Sequence, residues 1–408
     1  MTNLNSPMSF TARLTAVAAI LGVSIPAFLV AHVRSPQKES ESLRQVAAGS
    51  WRISEPIVYE NISVFPVFAV KGADTSAFIS LDEGLSSGDV LVTEQGSDIL
   101  RRSRGDGYPN PRPWSEYPAS QSGSAAVNTL VLVNRGKKPL LLLAGELVSG
   151  GKQDRIIAKD RIVPVGAPPL PLDVFCVEHG RWSNGTQFSA GNLMVHPSVR
   201  EAATVKQEQS QVWAAVRNGS TFPGTSSDGR VSGAPAGVAG AIGGAAPLSR
   251  DAISATVGSS APTQAYQKIY SSSPLGTSVN AFADEIQRRL AMAYNLKGPQ
   301  PVGVVIAYGG EVAWADVFAS PELFARYWAK LARSYSVEAL ARPQLREHAS
   351  LEDARQFLEP LKGREEAETE PGVYRWREVN ENHYAEIALD ALAPRQENLH
   401  WLKIHRTT

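Results

Sequence analysis

Val174-Phe-Cys-Val-Glu-His-Gly-Arg-Trp182 brings a thiol, a carboxylate, an imidazole, a guanidinium and an indole into one short run. If residues 174–178 form a strand, Cys176 and Glu178 leave one face while Phe175 and Val177 leave the other. Three chemistries fit this set: Glu178 as a general base, Cys176 as a nucleophile with a depressed pKa, or half a metal site with His179. The structural alternative packs Cys176 in the core and pairs Glu178 with Arg181. A second concentration is Gly145-Glu-Leu-Val-Ser-Gly-Gly-Lys-Gln-Asp-Arg155. Glu146 ends an apolar run, so burial would raise its pKa, or a nearby Arg155 would fix it as an ion pair. Lys152 and Arg155 adjoin glycines whose backbone N–H groups can converge on an anion; the alternative is a plain hairpin turn with solvated charges. Asp316, between Trp314 and Phe318, is a third carboxylate in apolar company, with a structural ion pair as its alternative.

Several chemistries are excluded. A phosphate-cradling P-loop needs Gly, four residues, then Gly-Lys-Ser/Thr before a helix; here an extra Gly intervenes, Gln153 replaces the hydroxyl, and a strand pattern follows. Gly84-Leu-Ser-Ser-Gly88 matches a nucleophile elbow by letters, but Asp89-Val-Leu-Val reads as strand, leaving a serine-rich turn. The 7 His form no short-spaced pair and the single Cys rules out a thiolate zinc site or an internal disulfide, so no metal is assigned. With 40 basic against 40 acidic residues there is no surplus to hold nucleic acid.

The positioning elements follow from periodicity. Residues 62–70, 89–93, 126–133, 139–143, 155–157, 161–165 and 172–177 are short apolar or β-branched runs separated by turns, the pattern of a sandwich or barrel. Residues 101–123, rich in Pro, Tyr, Ser and Gly, read as a long surface loop. Pro197 to Val216 reads as a helix with Pro at its first position. From Asn218 to Pro262, 26 of 45 residues are Gly, Ala or Ser, too little side chain to offset ordering entropy, so this is a flexible insert. Val279, Phe282, Ile286, Leu290 and Ala293 recur at helical spacing. Tyr308-Gly-Gly310 turns a hairpin, and Ser320 with Pro321 opens a helix burying Phe324, Tyr327 or Trp328, Leu331 and Tyr335. The charged stretch 342–369 is mixed, and 374–379 and 399–404 read as final strands.

Leu14 to Val33 carry no Asp, Glu, Lys or Arg and follow Arg13, a layout that suits a membrane anchor or an export signal. A helix of that length spans roughly 30 Å at ~1.5 Å per residue. The expected fold class is α+β: a strand-rich, antiparallel sandwich or barrel-like N-terminal half packed with a helix–hairpin–helix C-terminal half, after an N-terminal membrane helix. The expected parts are 1–34 (signal anchor or signal peptide), 35–50 (spacer), 51–217 (strand-rich), 218–275 (insert), 276–345 (helix–hairpin–helix) and 346–408 (extension with final strands).

Leu-Leu-Ala-Gly-Glu146, Gly-Gly-Lys-Gln-Asp-Arg155, Phe-Cys-Val-Glu-His-Gly-Arg-Trp182, Gly-Gly-Glu-Val-Ala-Trp-Ala-Asp-Val-Phe318 and Leu-Ala-Arg-Ser-Tyr335 occur in that order. Together they resemble the bacterial family of ADP-ribosylglycohydrolase- and rhodanese-phosphatase-associated protein domains, over about residues 50–345 and the final strand. The resemblance implies a role near NAD or ADP-ribose metabolism, without a settled activity or cofactor, and carries onto Glu146, Lys152, Gln153, Arg155, Cys176, Glu178, Arg181, Trp182, Asp316, Ser334 and Tyr335. Such a set suits a nucleotide-like ligand, with Arg and Lys on a pyrophosphate and Trp182 against a base. The resulting expectation is a membrane-tethered or exported domain, held through residues 14–33, that binds a small anionic ligand at the 145–155 and 176–182 segments. Any chemistry would be hydrolytic, with Glu146 or Glu178 as base. The rival expectation is a non-catalytic envelope scaffold.

Overall fold

The computed structural model describes residues 51–95, 129–179, 185–218, 264–271, 275–294, 298–342 and 345–406. Residues 14–33 and the 101–123 loop lie outside that set, as does 219–263 of the insert. Among the described residues no helix is long and apolar enough to cross a membrane.

Among the described residues twenty strands appear in chain order. They are β1 (Trp51–Ile53), β2 (Ile57–Tyr59), β3 (Ile62–Ala69), β4 (Ile79–Ser80), β5 (Val90–Glu94), β6 (Thr129–Asn134), β7 (Leu140–Leu142), β8 (Glu146–Gly150), β9 (Arg155–Ile157), β10 (Arg161–Val163), β11 (Leu170–Cys176), β12 (Glu178–His179), β13 (Gln187–Met194), β14 (Gln264–Ala265), β15 (Gly303–Tyr308), β16 (Glu311–Phe318), β17 (Arg364–Glu370), β18 (Tyr374–Glu381), β19 (Tyr384–Ala391) and β20 (Glu397–His405). The helices are α1 (Leu81–Ser87), α2 (Pro197–Glu201), α3 (Gln209–Asn218), α4 (Lys268–Ser271), α5 (Leu275–Ala293), α6 (Pro321–Ala341) and α7 (Leu351–Phe357).

Six of these strands close an antiparallel barrel in the order β11-β6-β5-β13-β8-β9, filled by Val92, Leu130, Leu132, Val148, Ile157, Leu172 and Val174. The barrel half of the expected N-terminal architecture is therefore present. Its partner is not a separate helix–hairpin–helix half. A nine-stranded antiparallel sheet runs β1-β3-β15-β16-β20-β19-β18-β17, with β2 also on β3, so the first strands of the chain pair with the hairpin near its end. The 346–408 segment is no mere extension: β17 to β20 form a meander that continues this sheet through the β16–β20 pair. Expected strands at 374–379 and 399–404 are there; β19 lies between them beyond the expectation, and so does β17, whose Arg-Glu-Glu-Ala-Glu-Thr-Glu370 has no apolar alternation to show.

Both faces of the central strands are covered, which is why Gly303-Val-Val-Ile-Ala-Tyr308 is apolar throughout. Val304, Ile306, Leu402 and Ile404 join the core shared with α5 and α6, while Val305, Ala307, Ala315 and Trp401 join a second core closed by α7. Pro66 sits within β3 because its missing N–H faces the end of β1, where Ser54 N donates to Pro66 O at 3.0 Å. Helix α6 starts as its sequence predicts: Ser320 Oγ accepts from Leu323 N at 3.0 Å, with Pro321 at the first position. Its buried stripe includes Phe324, Tyr327, Leu331 and Tyr335, while Trp328 stays partly exposed.

Other expectations change. Gly84–Gly88 is not a turn: Ser80 and Glu83 form a capping box that starts α1, which ends on Gly88 at φ +80°. The order is helix to strand, the reverse of a nucleophile elbow. The 197–216 helix is interrupted by a π-turn at Ala202–Lys206 and by Gln207 at φ +51°. Within the expected 218–275 insert, residues 264–271 are described and carry β14 and α4, with Tyr266 and Ile269 in the core. Strand β13, which the barrel needs for closure, was not anticipated.

The α6 cap supplies a direct test. Ser320 Oγ also lies 2.6 Å from the buried Thr75 hydroxyl, so Ser320→Ala removes a cap and leaves Thr75 without this contact. A loss of about 2 kcal/mol is expected in urea unfolding; an unchanged midpoint would show that the cap does not set α6.

Candidate functional site

Because the barrel strands alternate in direction, the ends of β5, β8 and β11 and the starts of β9 and β13 meet at one end. Glu94, the 150–155 turn and Cys176 therefore gather there. The turn folds inward on its glycines. Gly151 has φ +53°, and a Cβ on it would lie 2.1 Å from the Phe188 ring. Lys152 N donates to Glu94 Oε1 at 2.9 Å, and Gly150 N and Ser149 Oγ donate to Asp154 Oδ1 at 3.0 and 3.2 Å. Gln153, Asp154 and Arg155 are consequently buried, at 6%, 5% and 0% exposure. Arg155 Nη1 donates to Gln153 Oε1 and to the Asp154 carbonyl, each at 3.3 Å. Lys152 keeps its side chain exposed.

Cys176 stands opposite Arg155 in the ladder between β11 and β9. Its backbone is held by the Gln209 side chain of α3, which accepts from Cys176 N and donates to Cys176 O, both at 2.8 Å. Burial pushes the thiol pKa up; Arg155 opposes the rise and Glu94 adds to it. The expected strand through Glu178 breaks: β11 ends at Cys176, Cys176 and Val177 are both buried, and Glu178 pairs with Ala265 in the short β12–β14 ribbon. Cys176 and Glu178 are thus not consecutive outward positions of one strand. The Glu178 side chain lies outside the described residues, as do Arg181 and Trp182.

Two further expected residues are elsewhere. Glu146 is buried against Lys330 of α6, not Arg155; its Oε2 accepts from Leu143 N at 2.8 Å, and Lys330 Nζ also meets Asp82 at 2.6 Å. Burial pushes the Glu146 pKa up against the pull of Lys330. Burial likewise disfavours the Lys330 ammonium, but Glu146 and Asp82 outweigh it and keep the charge.

Asp316 is the centre of a larger buried network. Its two oxygens accept from Arg200 Nη1 at 2.8 and 2.9 Å, from Trp314 Nε1 at 2.7 Å, from His400 Nε2 at 2.9 Å and from the Tyr335 hydroxyl. His400 Nδ1 meets Asp160 Oδ2 at 2.6 Å, Asp160 Oδ1 accepts from Ala144 N at 2.7 Å, and Arg200 Nε donates to Ala144 O at 2.8 Å. Both His400 nitrogens face carboxylates, which only accept, so the ring is an imidazolium. Burial alone would lower its pKa, but Asp160 and Asp316 raise it. Burial would raise Asp316, yet Arg200 and His400 hold it well below the usual carboxylate range. Asp160, Arg200 and His400 were not anticipated, because their partners lie 240, 116 and 84 residues away. Ser334 and Tyr335 are both engaged, Ser334 Oγ donating to Val195 O at 2.8 Å. Among the described residues no group of three or more His, Cys, Asp and Glu side chains is arranged to hold a metal ion.

A family model described as the ARG and Rhodanese-Phosphatase-superfamily-associated Protein domain, ARPP-1, matches residues 50–403. The chain belongs to this family. No curated protein and no solved structure gives a match to it. The ARPP-1 match runs past Tyr335 to include β17 to β20, so the domain takes in the whole nine-stranded sheet as well as the barrel. His400 thus belongs to the domain as much as Asp316 does.

The buried network makes a pH-dependent prediction. Removing one partner of a buried charge set costs about 3–5 kcal/mol, so Asp316→Asn and His400→Gln should each lose stability of that order in denaturant titrations. His400 has a raised folded pKa, so its contribution is complete below the unfolded value of 6.5 and declines as pH rises through the folded value. Asp316 has a lowered pKa, so its contribution is present above 3.8 and is lost as pH falls through the lowered value. The stability gap between wild type and His400→Gln should be widest from about pH 5 to 6.5 and should narrow at alkaline pH. A gap that widens with pH would mean that His400 is neutral.

Proposed function

We propose that this domain binds a small anionic, nucleotide-like ligand at the barrel end built from the 150–155 turn, Glu94 and Cys176. The observation that carries this reading is the fully buried Arg155 guanidinium, turned inward beside Gln153 and opposite Cys176 at the mouth of a barrel whose interior is already filled. A buried guanidinium is the side chain best suited to a carboxylate or phosphate. In this reading Arg181 and Trp182 complete the site, Arg181 on the anion and Trp182 against a base. Lys152 supplies outer charge, and Glu178 is the base of any hydrolytic step. The link to ADP-ribosylglycohydrolase in the family name supports ADP-ribose as the first ligand to try. Glu146 and Asp316 play no part in it, since each is spent on an interior ion pair. The charge-free run at residues 14–33 supports tethering to a membrane, with the domain outside the cytoplasm.

A second reading, a non-catalytic envelope scaffold, draws on the same interior pairing: Lys330 with Glu146 and Asp82, and Arg200 with Asp316, use charge to join elements. The two readings part in a thermal-shift titration of the full-length chain against ADP-ribose, ADP and inorganic phosphate. A ligand at a hundred times its Kd should stabilise the fold by about 2.7 kcal/mol. Arg155→Lys keeps the charge but loses the planar fork, and Gln153→Ala loses its neighbour; each should weaken binding about tenfold, read as the ligand-induced shift from that variant's own ligand-free melting temperature. No shift with any of the three ligands favours the scaffold; a shift that both variants retain removes this barrel end from the site.

A further inference from the structure

Arg155 has no exposure, and Gln153, Asp154 and Cys176 have almost none, so the barrel end admits a ligand only when something above it moves. Val92, Ile157 and Val174 point into the filled interior, and Glu94, Arg155 and Cys176 stand two residues nearer the same end, in the next inward layer. β5 and β9 are three strands apart in either direction round the barrel, so Glu94 and Arg155 start from opposite sides of its mouth. Cys176 gives its backbone bonds to Gln209, which makes Cys176 and Arg155 a non-hydrogen-bonded pair, the kind whose side chains lie closest. The turn from Gly151 to Asp154 crosses this layer. It leaves β8, reaches Glu94 of β5 through the Lys152 N–H at 2.9 Å, and returns to β9. Gly150 and Gly151 begin it at φ +124° and +53°, and Gly-Lys-Gln-Asp154 contains no apolar side chain to bury. Segments held by hydrogen bonds rather than by apolar burial are those that open locally at low cost.

We propose that residues 151–154 are a lid on the ligand site, hinged at Gly150 and Gly151 and latched by the Lys152 N–H on Glu94. The proposal rests on the barrel-end reading and supplies its entry step: the guanidinium must be uncovered before an anion can reach it. Successive glycines give the hinge backbone conformations that other residues reach only with strain. The latch joins a backbone N–H to a carboxylate, a charge-assisted bond that closes the lid without tying it to the apolar core. Lys152 and Gln153 travel with the lid, so they leave the mouth when it opens and close on the anion held by Arg155. Opening bares Cys176 together with Arg155, because the two are paired neighbours in one layer.

Cys176 is the only cysteine of the chain, so its reaction with a chromogenic aryl disulfide reads lid opening on the full-length protein. Access through a lid gives a labelling rate that is flat in urea well below the unfolding transition, whereas access through global unfolding rises with urea from the start. The flat rate is expected. Glu94→Ala removes the latch, and Gly151→Ala places a Cβ against the Phe188 ring when the lid is shut; each should raise the low-urea rate about tenfold or more. Ser320→Ala, which weakens the whole fold from the distant α6 cap, should leave that rate unchanged. ADP-ribose at a hundred times its Kd should slow labelling about a hundredfold by holding the lid shut. A wild-type rate that climbs with urea from the outset overturns the lid, as do lid variants that label no faster than Ser320→Ala. Faster labelling of both variants without protection by ADP-ribose, ADP or inorganic phosphate keeps the lid and ends the ligand reading.

Discussion

The constraint on which most of this structure depends is the enclosed charge set of Asp160, His400, Asp316 and Arg200. Each member comes from a different part of the fold: Asp160 from the connection between β9 and β10, Asp316 and His400 from adjacent strands of the open sheet, and Arg200 from α2. Two acids against a guanidinium and an imidazolium leave no net charge to bury, and almost every oxygen and nitrogen in the set has a geometric partner. Such a set is costly to disturb, because loss of one member strands the others in a medium that cannot solvate them. It holds the barrel to the sheet in one relative arrangement, which apolar packing alone would leave less sharply specified.

The same set explains a segment whose residue types suggest chemistry. Leu-Leu-Ala-Gly-Glu146 is where the network grips the backbone. Leu143 N donates to Glu146, Ala144 N to Asp160, and Ala144 O accepts from Arg200, while Gly145 N bonds Ile157 O. Gly145 itself stands at φ +92°, and a Cβ there would lie 2.9 Å from the Arg200 side chain. The motif is thus defined by what its main chain must do: bend sharply, accept close contact, and present N–H and C=O groups to buried charges. Glu338 plays a matching part for α2, whose first turn lacks a side-chain cap. Its carboxylate accepts from Ser198 N and Ser198 Oγ at 3.0 and 2.8 Å and is balanced by Arg342 Nε at 2.9 Å.

What sequence reveals here follows the range of the interaction concerned. The Ser320 cap, the Tyr308-Gly-Gly310 hairpin, the α5 stripe and the apolar runs of barrel strands β5, β6, β9 and β11 are local patterns, and their spacing displays them; β8 is hidden within the glycine-rich 145–155 segment. The inward turn of Gln153 to Arg155 was half visible: the glycines marked a turn, but its direction depends on Glu94 and Phe188, which lie on other strands. His400 looked like one unremarkable histidine among seven, because its meaning is set by two carboxylates far away in the chain. Strand β17 was hidden for the opposite reason. It is exposed along its length and takes its conformation from backbone pairing with β18, not from any face that it buries.

The two ends of the open sheet bear on the same physics. At the β17 end, Glu365, Glu366, Glu368 and Glu370 crowd a strand with few buried side chains, and Lys159 and Arg161 engage Glu368 from the barrel side. A row of like charges repels a second such row, and a strand exposed on both faces offers little apolar surface, so this end resists pairing despite its length. Among the described residues the other end is β1, which is built differently: it is three residues long and partly apolar. A short edge limits the number of backbone bonds that another strand could make to it. An open sheet thus guards one end by charge and the other by brevity, which is how an exposed edge persists without becoming a site of general aggregation.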